Sequence, residues 1–105
     1  MKQSELCGLK KSITPDGVQL WHLNGLAHSP LDLPARIQPD GKMKWYHNGL
    51  LHREGDKPAV IWPDGRMEWW VDGAKHREDG PAVITGDGGL FWYQKGHLTR
   101  CGRIK

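Results

Sequence analysis

The sequence predicts an all-β fold: an elongated, twisted antiparallel meander of about four β-hairpin repeats with a period of 23–24 residues. Three observations predict it. First, Trp62–Ile84 (WPDGRMEWWVDGAKHREDGPAVI) falls on Gln38–Ile61 when slid back 24 residues, and on Thr14–Ile37 after another 24. Gly86–Lys105 is a fourth, incomplete copy. Self-similarity at a fixed period is the signature of stacked supersecondary units. Second, every copy carries two turn signals at fixed offsets. Third, nothing in the chain has a helical period.

The elements follow in order. A partial N-terminal strand at 9–14 precedes repeats at 15–38, 39–62, 63–85 and 86–105, together one domain over 1–105. Each unit has a short β-rich run, Pro34–Ile37, Pro58–Ile61 or Pro81–Ile84, and Lys10–Ile13 sits in the same frame. Pro opens the run, where a missing N–H is tolerated. Pro-Asp-Gly turns at 15–17, 39–41 and 63–65 come next, with Gly86-Asp87-Gly88 as the fourth version. Pro presets the first turn angle, Asp bonds nearby backbone, and Gly takes the left-handed position. The second run spans Val18–Leu23, Lys42–His47, Arg66–Val71 and Leu90–Gln94. It ends at Asn24-Gly25, Asn48-Gly49, Asp72-Gly73 or Lys95-Gly96, and Asn-Gly and Asp-Gly are strong hairpin signals. A short returning segment and a His-Arg-rich loop lead into the next unit.

Comparing the copies assigns the faces. Trp21, Trp45, Trp69 and Trp92 are invariant in the second run, and Ile13, Ile37, Ile61 and Ile84 in the first, with Ala35, Ala59 and Ala82 two residues earlier. Alternation along a strand places these ladders on one buried side. The opposite face varies. Leu20, Lys44, Glu68 and Phe91 share one position, and His22, Tyr46, Trp70 and Tyr93 share the next.

At 105 residues and a formal charge of +3, the chain is mildly basic, and its charges are spread along its length. That balance gives no strong nucleic-acid footprint. Six Trp argue for a packed structure with aromatic surface to spare. No apolar run at the start reads as a secretory signal and no stretch is long enough to span a membrane, so the expected location is cytoplasmic. Cys7 and Cys101 fit that compartment as free thiols. At a strand spacing of about 4.8 Å they lie roughly 30 Å apart, beyond the about 7 Å reach of a disulfide. Met1–Glu5 are expected to be mobile.

The pattern resembles the MORN repeat family, whose units have the form DG…W…NG…H…G. The matching residues are Asp40-Gly41, Trp45, Asn48-Gly49 and His52, then Asp64-Gly65, Trp69, Asp72-Gly73 and His76. His76–Ala82 (HREDGPA) is similar to a variant found mainly in phage, bacterial and giant-virus proteins; His52–Ala59 carries one extra residue, and Ser29–Leu33 replaces the Arg-led loop. The resemblance covers nearly the whole chain. It implies successive hairpins in an extended sheet, and a scaffold for protein interaction, with lipid binding proposed for some members. Related bacterial variants include antitoxin-like proteins.

Residues that could carry chemistry divide into repeated and unrepeated ones. His28, His52 and His76 fall in register, and copies two strands apart stand roughly 9.6 Å from each other, too far to share one zinc ion. The expected role is loop-fixing hydrogen bonds within each copy, with no metal. Arg53-Glu54 and Arg77-Glu78-Asp79 read as charged turns that solvate the loop and cap its backbone, because a catalytic site needs unlike groups that converge. No Cys/His nucleophile pair, Gly-x-Ser-x-Gly elbow or phosphate loop is present, so neither an enzyme nor a cofactor is expected.

The unrepeated residues are the candidate partner surface: His22, Lys44, Tyr46, Trp62, Arg66, Glu68, Trp70, Phe91 and Tyr93, with Lys42 beside them. The stripe His22, Tyr46, Trp70 and Tyr93 is either an exposed aromatic patch or a second core layer. Exposed, it suits a protein partner, where Trp, Tyr and Arg dominate binding. The resemblance makes that partner a bacterial defence or toxin protein, blocked by a phage- or mobile-element-encoded inhibitor. Aromatics among bases also suit single-stranded nucleic acid, and anionic lipid is the third reading. The open ends of the array invite a homodimer through sheet edges, or strand addition by another protein.

Overall fold

Each Pro-Asp-Gly segment reverses the chain in the computed structural model, which describes residues 8–104. The Gly17, Gly41, Gly65 and Gly88 N–H groups donate to the carbonyls of Thr14, Gln38, Trp62 and Thr85, three residues back. Their φ values of 93–98° are left-handed, as a tight turn followed by a bulge requires. Asp40 and Asp64 cap these turns by accepting the Lys42 and Arg66 N–H groups at 2.9 and 3.0 Å. At the other end of each unit Asn24, Asn48, Asp72 and Lys95 hold φ of 48–53° ahead of a left-handed glycine, the two-residue turn that matches strand twist.

The strands are β1 (Leu9–Ile13), β2 (Gln19–Leu23), β3 (Leu26–Ala27), β4 (Arg36–Ile37), β5 (Met43–Lys44), β6 (Tyr46–His47) and β7 (Leu50–Leu51). There follow β8 (Val60–Ile61), β9 (Met67–Glu68), β10 (Trp70–Val71), β11 (Ala74–Lys75), β12 (Val83–Ile84), β13 (Gly89–Gln94) and β14 (His97–Arg103). Among the described residues no helix forms, and so none is long and apolar enough to cross a membrane. One antiparallel sheet runs β1-β2-β4-β5-β8-β9-β12-β13-β14 and does not close, with β3 paired to β2. The pairs β6-β7 and β10-β11 stand apart from it as small hairpins. The molecule measures 44 × 29 × 19 Å.

Two expected strands are interrupted. Lys42–His47 breaks at Trp45 and Arg66–Val71 at Trp69, each yielding a main-sheet piece and a hairpin piece. At the break the Trp N–H still donates to the neighbouring Ala59 or Ala82 carbonyl at 2.7 Å, and the Trp carbonyl accepts from His52 or His76. The indole N–H reaches the preceding loop instead, at Asp32 O (2.9 Å) for Trp45 and Asp56 O (3.1 Å) for Trp69. The chain thus bends where the invariant Trp turns inward.

The core occupies both faces, not the single face that strand alternation predicts. Trp45, Trp69, Ala35, Ala59 and Ala82 are buried on one side. Val60 and Val83 are buried on the other, in the row Leu20, Arg36, Lys44, Val60, Glu68, Val83, Phe91 that strand register sets side by side. The Ile ladder is only half-buried, and Ile13 is 65% exposed because β1 has a neighbour on one side only. Trp21 and Trp92, near the two ends, are half-buried for the same reason.

Adjacent repeats are joined by side chains that sequence spacing assigned to other roles. The His28, His52 and His76 imidazoles accept at Nδ1 from the N–H of Asn48 (3.2 Å), Asp72 (3.0 Å) and Lys95 (2.9 Å). Each His therefore caps the hairpin turn of the next copy, while His52 and His76 also keep the expected contact within their own loop, Nε2 lying 3.1 Å from Glu54 and 3.3 Å from Glu78. Arg53 and Arg77 cap their own loop backbone as expected and in addition tie it to the preceding copy. Each bridges back to an Asp of the preceding copy, Asp32 or Asp56 (Nε at 2.9 Å), and donates to its own loop at Pro58 O or Pro81 O.

The fourth copy does not end without a closing strand. Chain after the Lys95-Gly96 turn runs on as β14, and a bulge between Trp92 and Tyr93 sets Arg100, Cys101 and Gly102 opposite Trp92, Phe91 and Leu90. Those are the places that Ala59, Val60 and Ile61 take beside β5. Cys101 is exposed with a free thiol; the expectations for Cys7 and for Met1–Glu5 fall outside the described residues.

Candidate partner-binding cleft

Five of the nine candidate residues meet at one place. Lys44, Trp62, Glu68 and Trp70 line an open cleft of about 300 Å³, together with Lys42, Leu51, Val60 and Lys75. Arg66 joins them through Glu68. The floor is the cross-strand row Lys44, Val60, Glu68 of β5, β8 and β9. Lys42 and Trp62 flank it toward the Pro-Asp-Gly turns, and Leu51, Trp70 and Lys75 of the small hairpins flank it on the other side.

Glu68 is the main correction to the expected surface. Its residue is only 6% exposed, so it does not offer a carboxylate to a partner. Arg66 Nη2 donates to Oε2 at 2.7 Å, and the Trp70 indole Nε1–H donates to Oε1 at 2.9 Å. A buried carboxylate is tolerated only when paired in this way. Its work is positional, fixing the Trp70 ring and the Arg66 guanidinium at the cleft wall.

Cations crowd the aromatic rings. Lys42 Nζ is 4.5 Å and the Arg66 guanidinium carbon 5.1 Å from the Trp62 ring centroid. Lys75 Nζ is 5.7 Å from Trp70 and 5.0 Å from Tyr93. Lys44 stands across from Arg36 in the ladder. Partial burial pushes its ammonium pKa below the ordinary value, and the charges of Lys42 and Arg36 push it further, against an opposing pull from Glu68. Among the described residues, Lys42, Lys44 and Lys75 have no carboxylate partner, while Lys57 pairs with Asp32 at 2.9 Å.

The other candidates lie elsewhere. His22 is at the N-terminal end, 3.4 Å from Ser12 Oγ. Tyr46 lines a separate cleft of about 400 Å³ with His28, His47, His52 and Arg53. Phe91 and Tyr93 continue along β13, Tyr93 touching the cleft only through Lys75. All four stripe positions, His22, Tyr46, Trp70 and Tyr93, are half-buried, between the two alternatives drawn from the sequence.

Leu51, Val60 and Lys75 also line the cleft, with Arg36 behind it, and the two cations among them left a signal in the sequence. A two-residue turn at Asp72-Gly73 pairs Trp70 with Lys75 by hairpin arithmetic, as observed. Arg36 replaces the Val found at 60 and 83, an irregularity of the same kind as Trp62. Among the described residues no cluster of His, Cys, Asp and Glu has the arrangement of a metal site. Comparison with protein-family models, curated proteins and solved structures gave no match.

Proposed function

We propose that the chain is a non-enzymatic binding module, with the Trp62–Trp70 cleft gripping an acidic segment of a protein partner. The observation that carries this is the convergence of three lysines, none in an ion pair among the described residues, on a cleft walled by two Trp, all at positions where the copies differ. A repeat scaffold leaves its irregular positions free for recognition, and desolvated aromatic and cationic side chains are where binding energy concentrates. The resemblance to repeat proteins of phages and bacteria adds a direction: the partner is a bacterial protein that the module would block.

The geometry favours a protein over single-stranded nucleic acid. Base stacking needs open aromatic faces, and here Lys42, Arg66 and Lys75 lie over the Trp62 and Trp70 rings. The test is capture of a partner by wild-type and Lys44→Glu chains, with crosslinks mapped by mass spectrometry. The reading expects crosslinks at Leu51 and Trp70 with wild type and loss of the partner with Lys44→Glu. Retention by Lys44→Glu, or crosslinks confined to β1 or β14, would overturn it.

A further inference from the structure

The cleft holds more positive charge than one carboxylate could balance. Lys44 on the floor, Lys42 on one flank and Lys75 on the other all line it. Glu68, the one acidic residue among the described residues that line it, has one oxygen bound to Arg66 and the other to Trp70. Behind the floor, Arg36 faces Lys44 directly across the β4-β5 ladder, and its Nε is buried without a hydrogen-bond partner. Like charges directly opposite each other in a sheet are destabilising, and a buried unpaired donor is costly. An arrangement of this kind is relieved by an anion.

We infer that the Lys42–Lys44–Lys75 cleft is a subsite for a doubly charged oxyanion of the phosphate class, presented by the bound partner. This rests on the partner-binding reading and names the group that the partner would offer. A tetrahedral dianion offers ammonium groups on the floor and on both flanks more acceptor oxygens and twice the charge of a carboxylate. Lysine suits it as a compact point charge with three donors, whereas the bidentate fork of Arg66 is already committed to Glu68. Lys42, Arg66 and Lys75 lie near the Trp62 and Trp70 rings and would compete with a stacked base, which favours the phosphate of a phosphorylated side chain over that of a nucleotide.

The experiment titrates the full chain with inorganic phosphate and with acetate at constant ionic strength, reading Trp emission from the cleft. Phosphate should saturate and bind at least about tenfold more tightly than acetate. Lys44→Met should weaken it about tenfold, while Lys57→Met, whose ammonium pairs with Asp32 outside the cleft, should leave it unchanged. If Lys44→Met is unfolded by circular dichroism, Lys75→Gln is read in its place. Equal binding of phosphate and acetate, or wild-type phosphate affinity in the lysine variant, overturns the inference. An acidic peptide with and without one phosphoserine separates it from the reading beneath it. Tighter binding of the phosphopeptide, lost with the lysine, supports both. Equal binding of the two peptides leaves the partner reading standing and removes the phosphate subsite. Binding of inorganic phosphate with neither peptide bound keeps the oxyanion site and removes its presentation by a protein.

Discussion

Arg53 lies over the indole of Trp45, its guanidinium carbon 3.8 Å from the ring centroid, while its Nε and Nη2 bind the Asp32 carboxylate of the preceding repeat. Arg77 does the same one copy later, 3.9 Å from Trp69 and bound to Asp56. Arg100 stands 4.5 Å from Trp92 in the last copy. The stack joins two elements that the repeat must hold, the inward-turned Trp and the loop behind it.

Arg53→Ala removes the stack and leaves the Pro58 carbonyl without its 3.1 Å donor. The expected cost is about 2–3 kcal/mol, summing one cation–π contact and the hydrogen bonds to a charged group. Arg53→Lys should recover only part of it, because an ammonium cannot stack and fork together. Urea denaturation of the two variants measures the difference.

Asp32 makes the same clamp sensitive to acid. Its hydrogen bonds with Arg53 and Lys57 lower its pKa from 3.8 to about 2. A depressed carboxylate stabilises the fold above the unfolded value and loses that contribution as pH falls toward the folded one. Wild type should therefore lose stability between about pH 4 and pH 2 more steeply than Asp32→Asn, and the two should converge at the acid end. Thermal melts across that range read the gap.

Gly86 stands where the other turns have Pro, so Gly86→Pro would restore the consensus. The structure expects the opposite of a consensus gain. A Cβ at Gly86 would come 2.6 Å from the Asp64 carbonyl oxygen, a backbone atom that cannot swing aside. Gly86→Pro and Gly86→Ala should both destabilise by about 1–3 kcal/mol. A raised melting temperature in either would contradict the stacking of successive turns.

The turns and the repeat were legible because Pro-Asp-Gly and Asn-Gly specify backbone geometry locally. The faces were only half legible. Alternation correctly buried Trp45, Trp69 and the alanines, but it could not show the breaks at Trp45 and Trp69 or the second buried layer at Val60 and Val83. The His ladder was visible as a ladder, yet spacing alone does not tell which copy an imidazole will serve. Glu68 read as a surface residue because it is charged. Its burial depends on Arg66 and Trp70, each two residues away and contributing a side-chain donor. Lys75 and Arg36 were legible in principle, through hairpin register and through the broken Val position.

The proposed binding of an acidic protein segment in the Trp62–Trp70 cleft can be tested in one titration. The most direct measurement is a Trp-emission titration of the full chain with a short glutamate-rich peptide, set against an oligothymidylate of equal charge and repeated with Lys44→Glu. Saturable binding of the peptide, weaker binding of the oligonucleotide, and loss of the peptide with Lys44→Glu at an unchanged circular dichroism spectrum are expected. Tighter binding of the oligonucleotide, or peptide binding indifferent to Lys44→Glu, would contradict it.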